Sequence, residues 1–216
     1  MNEIELMEAY ADTLYKPLRG ALGALRAEAE RENIPIILKS TEMFLRSMID
    51  IKKPAQILEI GTAVGYSAAC FAEKSKTCKV TSIELDEEMC KKAISNFEDL
   101  YLSERITVFC GDGEEIIKDS LAGQKFDFVF IDAAKSHYRR FFDAAVTVCT
   151  DDAVIISDDV ILRGVAYTGH IPHRHRTNVR SMREYIAYLM SLNYAETSIL
   201  PIGEGIAVTV FKKRFV

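Results

Sequence analysis

Residues 56–67 read Gln56-Ile57-Leu58-Glu59-Ile60-Gly61-Thr62-Ala63-Val64-Gly65-Tyr66-Ser67, an apolar run that gives way to two glycines and then to a helix-forming stretch. A short β-branched run that ends in glycine and opens a helix is the first half of a strand-crossover-strand unit. The pattern recurs downstream. Residues 56–59, 79–84, 106–110, 126–132 and 153–157 read as strands separated by helix-length amphipathic connections. Near-continuous apolar strands are buried on both faces, and right-handed crossovers place helices over each side, so the expected fold is a doubly wound α/β parallel sheet. Residues 194–200 and 205–211 flank Pro201-Ile202-Gly203-Glu204 and read as a closing hairpin, which brings the sheet to seven strands with an antiparallel end. Upstream, residues 1–33 read as a long helix interrupted near Pro17 and Gly20, and 36–51 as a second one. The whole chain, 1–216, is expected to form one domain: N-terminal helices over 1–52, then a cofactor-binding core over 53–216 with a basic insertion at 160–180.

Bulk properties exclude several classes. No apolar run approaches the roughly 20 residues of a membrane helix, and the start of the chain is acidic where a signal peptide is basic. A cytoplasmic protein with no membrane partner is expected. The five cysteines are scattered without a CxxC pair, which suggests neither a disulfide framework nor a zinc site; Cys110 is expected to be a buried strand cysteine. A formal charge of -5 argues against general polyanion binding. Yet residues 160–183 contain no acid and carry Arg163, Arg174, Arg176, Arg180 and Arg183.

The chemistry lies at strand ends. A dinucleotide fingerprint needs G-x-G-x-x-G, whereas Gly61 and Gly65 are spaced G-x-x-x-G. Glu59 would repel a pyrophosphate but suits the ammonium of a methionine moiety, so S-adenosylmethionine is the expected cofactor. Glu84, about twenty residues past the glycines, can accept ribose hydroxyls. Asp112 either bonds the adenine amino group or merely caps a helix. Asp132, Asp158 and Asp159 end two strands at the same edge. Converging carboxylates need a neutralising cation, and an all-oxygen set suits a hard ion such as Mg²⁺. Lys135, three residues past Asp132, can face that site and favour an ionised hydroxyl; it would also serve as a base if its pKa were lowered. Of Tyr138, Arg139 and Arg140, at least one should face the pocket, and spacing does not choose among them.

At these residues the chain resembles the metal-dependent O-methyltransferases of the catechol and caffeoyl-CoA type, whose class I methyltransferase fold is Rossmann-like. The resemblance implies that Glu59, Gly61, Thr62, Gly65 and Ser67 belong to the cofactor turn and that Glu84 binds ribose. Asp132, which also borders the cofactor, is implied as a metal ligand together with Asp158 and Asp159, and Lys135 as the catalytic lysine. One departure stands out: the third ligand is commonly Asn, and here it is Asp159. Within the family, Ile34-Pro35-Ile36, the Asp132–Phe142 segment, the run from Ser157 through Gly164, and residues 201–207 are similar to enzymes that methylate 5-hydroxyuridine at the tRNA wobble position. That resemblance implies anticodon-loop tRNA as partner, with Tyr138, Arg139, Arg163, Arg174, Arg176 and Arg180 contacting it, and a homodimer. A small catechol-like acceptor is the alternative.

Overall fold

The structure, a computed structural model, describes residues 3–161 and 176–212. Helices α1 (Glu3–Thr13), α2 (Ala21–Arg31) and α3 (Lys39–Lys52) precede strand β1 (Gln56–Ile60). Then follow α4 (Tyr66–Lys74), β2 (Lys79–Glu84), α5 (Glu87–Asp99), β3 (Ile106–Cys110), α6 (Gly113–Asp119) and β4 (Phe126–Ile131). A short 3₁₀ turn at Lys135–His137 leads into α7 (Tyr138–Thr147), β5 (Cys149–Ser157), α8 (Arg176–Ser191), β6 (Ala195–Leu200) and β7 (Ile206–Phe211). The break foreseen near Pro17 and Gly20 is the gap between α1 and α2.

The strands form one seven-stranded sheet in the order β3-β2-β1-β4-β5-β7-β6. The first five pair in parallel, and β7 runs antiparallel to both β5 and β6. Two-residue alternation divides the core between the faces. Leu58, Ile60, Val129, Ile131 and Ile155 meet Tyr138, Phe142, Met182 and Tyr185 from α7 and α8 on one side. Ile57, Phe128, Phe130, Val154 and Ile156 meet Leu45, Ile49, Phe71 and Phe97 from α3, α4 and α5 on the other. In α7 the inward positions are Tyr138, Phe141, Phe142, Ala144 and Ala145, an apolar stripe at helical spacing.

Two expectations are corrected. Strand β5 begins at Cys149, not at 153, because the β4–β5 register shifts between Phe126 and Phe128 and lets the earlier residues pair. Cys110 is exposed and its sulfur is joined to that of Cys90, a disulfide across twenty positions that linear spacing does not reveal. Among the described residues, Cys70, Cys78 and Cys149 are buried free thiols, and no helix is long and apolar enough to cross a membrane.

Candidate active site

Backbone pairing continues past the strands at the carboxyl edge of the sheet. Gly111 N donates to the Glu84 carbonyl (2.8 Å), Gly61 N to Ile83 (2.8 Å), Asp132 N to Ile60 (2.9 Å) and Asp158 N to Ile131 (2.9 Å). The loops after β3, β1, β4 and β5 therefore stand side by side. Ligands of such sheets bind outside this edge where the strand order reverses, here between β1 and β4. A cavity of about 660 Å³ opens there. Its walls are Gly61, Thr62, Ala63, Tyr66 and Ser67 from the β1 turn, residues 84–86 after β2, and 111–113 after β3. Asp132, Lys135, His137, Arg140, Phe141 and Asp159 complete the lining.

Gly61 has φ 101°, and a Cβ placed on it would collide with the Asp132 carbonyl oxygen. Only glycine lets the β1 turn and the end of β4 come this close. Glu84 fastens the same turn. Its Oε2 accepts from Thr62 N (3.1 Å) and Ala63 N (2.8 Å), and its Oε1 from Leu85 N and Asp86 N at 2.9 Å each. The acid expected on ribose thus also shapes the loop that would hold the rest of the cofactor. Asp112 does cap a helix: Oδ1 accepts from Glu114 N (2.9 Å) at the start of α6. Its other oxygen pairs with Arg140 Nη2 at 2.5 Å, so Asp112 meets the cavity with both oxygens already engaged.

Lys135 Nζ stands between two carboxylates, 3.1 Å from Asp132 Oδ1 and 2.8 Å from Asp159 Oδ2, and donates to Tyr138 Oη at 2.8 Å. Tyr138, wholly buried, passes the link on by donating to the Asp158 carbonyl (3.0 Å). Asp159 adopts φ 56°, and its N donates to Asp158 Oδ1 at 2.8 Å. Burial pushes the Asp132 carboxyl up, partly offset by Lys135, and burial with the Asp132 and Asp159 charges pushes Asp158 well above the carboxylate range. Burial alone would lower Lys135, but Asp132 and Asp159 outweigh it and hold the amine above its ordinary value. A lowered pKa for Lys135 is therefore not met here; the side chain is an ammonium. Among the described residues no group of three or more His, Cys, Asp or Glu is spaced to hold a metal ion.

A family model described as O-methyltransferase matches residues 17–213. The chain belongs to the O-methyltransferase family. Among its relatives, catechol O-methyltransferase of Mycobacterium tuberculosis is 28% identical over 161 residues, 73% of each protein. A crystal structure from Staphylococcus aureus, provisionally named a caffeoyl-CoA O-methyltransferase, superposes with TM-score 0.89 at 28% identity and covers 96% of this chain and 100% of that one. An O-methyltransferase from Bacillus cereus in complex with SAH gives TM-score 0.82 at 24% identity, covering 97% of this chain and 100% of that one, which shows the shared fold.

Within this O-methyltransferase the residues singled out from sequence divide into groups. Gly61, Thr62, Ser67, Glu84, Asp112, Asp132, Lys135 and Asp159 line one cavity. Gly65 starts α4 at φ 86° with the Phe97 ring where a side chain would go. Asp158 and Tyr138 lie buried behind the wall. Arg139 does not turn inward: it lies over the Tyr188 ring, 4.2 Å from its centre, on the outer side of α7, and Arg140 takes the cavity position. Arg176 and Arg180 are exposed at the start of α8. Arg163 and Arg174 lie outside the described residues. His137, Phe141 and the segment Pro35-Ile36-Ile37 also line the cavity; Ile34-Pro35-Ile36 and the Asp132–Phe142 stretch carry the resemblance, but nothing in the sequence gives His137, Phe141 or Ile37 a place in the site.

Glu59 stands behind the cavity wall. Alternation along β1 sends it to the α4 side, where it is wholly buried, with Ser82 Oγ donating to Oε2 and no partner for Oε1 among the described residues. Burial pushes its carboxyl up to about 8; the Ser67 and Ser82 hydroxyls oppose this, and the Asp132 and Glu84 charges add to it. A carboxyl whose folded pKa is raised contributes stability that is full below its unfolded pKa, about 4.3, and is lost as pH rises through the folded value. Without cofactor, the melting temperature should therefore fall by roughly 5–10 °C more in the native protein than in Glu59→Gln between pH 6 and 9. Parallel curves for the two proteins would remove Glu59 as a buried proton carrier.

Proposed function

We propose that this chain transfers the methyl group of S-adenosylmethionine to an acidic hydroxyl flanked by a second oxygen, and that the acceptor is 5-hydroxyuridine in tRNA. The observation that carries the reaction is Lys135, held between Asp132 and Asp159 on the wall of the cavity that the Gly61 turn also lines. The turn, Glu84 and residues 111–113 bind the cofactor. Lys135 faces the acceptor, where its positive charge favours the ionised hydroxyl; the proton leaves to water, and the oxyanion attacks the sulfonium methyl, forming the O–CH3 bond as the S–CH3 bond breaks and S-adenosylhomocysteine leaves. Opposite charges approach and cancel, so the protein contributes mainly orientation and exclusion of water. Pro35-Ile36-Ile37 and Phe141 supply the apolar cover.

A divalent ion such as magnesium would be held at this edge by Asp132, Asp158 and Asp159 only if they drew together around it, because as they stand Lys135 engages Asp132 and Asp159 and no three acids among the described residues are spaced to hold a metal. Every donor is a carboxylate oxygen, which suits a hard cation, and burial together with the Asp132 and Asp159 charges pushes the Asp158 carboxyl up. When bound, such an ion would acidify the acceptor hydroxyl and orient the two adjacent oxygens.

The tRNA reading is supported by exposed Arg176 and Arg180 at the start of α8, which line a hollow with Thr177, Ser181 and Glu184, the last paired with Arg180 at 2.8 Å. It places the enzyme in the cytoplasm. Exposed Tyr10 and Leu14 near the end of α1 support contact with a second copy of the chain. Replacing Arg176 and Arg180 together by alanine should lower kcat/KM for tRNA about tenfold or more and reduce its salt slope by roughly two, while a small catechol changes less than about twofold. Equal losses on both acceptors would favour the second reading, a small catechol, which the catechol O-methyltransferase relative supports.

A further inference from the structure

We propose that Cys90 and Cys110 form a reversible disulfide clasp that sets the affinity for the cofactor, an inference that rests on the S-adenosylmethionine reading above. Cys90 lies in the first turn of α5, immediately after residues 84–86, which form one wall of the cavity. Cys110 ends β3, immediately before residues 111–113, which form the adjoining wall. The bond therefore ties together the two segments that would enclose the nucleoside. The backbone bond from Gly111 N to the Glu84 carbonyl (2.8 Å) joins the same two segments at one point, and the Cys90 sulfur lies 3.5 Å from that carbonyl.

The backbone accommodates the pair, since the Cα atoms are 6.1 Å apart, within the span that disulfides bridge. Accessibility is unequal. Cys90 is fully buried, whereas Cys110 is exposed and open to attack or modification from solvent. In a reducing compartment such a bond is not a permanent staple but one that follows the thiol poise. Its formation needs a small-molecule disulfide as oxidant. The Cys110 thiolate attacks that disulfide, its S–S bond breaks and one small thiol leaves; the Cys90 thiolate then displaces the second. Two protein thiols are oxidised to one disulfide, the small disulfide is reduced to two thiols, and the two thiol protons end on those products.

The cross-link favours tighter binding. With the bond closed, both walls are held in the cavity-forming arrangement before the ligand arrives; with it open, their ordering is added to the cost of binding. The test uses the full chain equilibrated in oxidised or in reduced glutathione, with intact-mass and peptide mapping of the disulfide and calorimetric titration of S-adenosylhomocysteine. The expected result is a Cys90–Cys110 disulfide under oxidising conditions and a Kd that rises roughly five- to tenfold on reduction. Cys110→Ser and Cys110→Ala should both show the weaker affinity in either buffer. Failure of the pair to form, or equal affinity in both states, overturns the clasp alone. Absence of binding in both states overturns the cofactor reading and the clasp with it.

Discussion

Gly61→Ala is expected to abolish cofactor binding, weakening S-adenosylmethionine by more than about a hundredfold, which corresponds to more than roughly 2.7 kcal/mol. Two costs combine. The residue sits at φ 101°, and its new Cβ would overlap the Asp132 carbonyl oxygen, an atom of the neighbouring strand end that cannot swing aside as a side chain can. Relief requires the β1 turn and the end of β4 to part, and that displaces the turn that Glu84 clasps and the carboxylate that Lys135 holds. Gly123→Ala is the matched control. It too has positive φ, 83°, but nothing lies within 4 Å of its added Cβ, so it should cost only about 1 kcal/mol of stability and leave binding intact. Calorimetric titration of both variants, with circular dichroism to confirm folding, checks the contrast; tight binding by folded Gly61→Ala would show that the turn is not the cofactor site.

Lys135→Ala should lower kcat by roughly 10²- to 10⁴-fold while changing cofactor affinity by less than about threefold. The split follows from position, since Lys135 touches Asp132, Asp159 and Tyr138 on the acceptor side and none of the turn residues. Because its amine is held above its ordinary value, Lys135 contributes as a cation. Lys135→Arg should accordingly recover part of the rate, which a base-only role would not allow. Single-turnover rates measured with saturating cofactor distinguish these outcomes.

Much of this arrangement can be read from the chain because each element carries its own local signal. The five parallel strands are apolar runs broken by glycine or acid, and the acids at their ends, Glu84, Asp132, Asp158 and Asp159, stand out against those runs. What cannot be read depends on three-dimensional proximity. Pro35-Ile36-Ile37 reaches the cavity from a connection between N-terminal helices that shows no chemistry of its own. Arg139 and Arg140 are neighbours in sequence, and only the rotation of α7 turns one toward Tyr188 and the other toward Asp112. Cys90 and Cys110 meet because β2 and β3 pair in parallel, a relation their spacing does not encode. Glu59 passes for a cavity residue until strand alternation places it behind the turn. The same limit applies to Lys135, whose charge state depends on two carboxylates from different strands.

The reaction itself is tested most directly by incubating the protein with methyl-deuterated S-adenosylmethionine, Mg²⁺ and tRNA containing 5-hydroxyuridine, with a small catechol in a parallel sample. The products are then resolved by mass spectrometry. Deuterated methyl on the 5-oxygen of uridine is the expected product, and its formation should collapse in Lys135→Ala. Label on a nitrogen or carbon, or no transfer to either acceptor, would contradict hydroxyl methylation at the Asp132–Lys135–Asp159 edge.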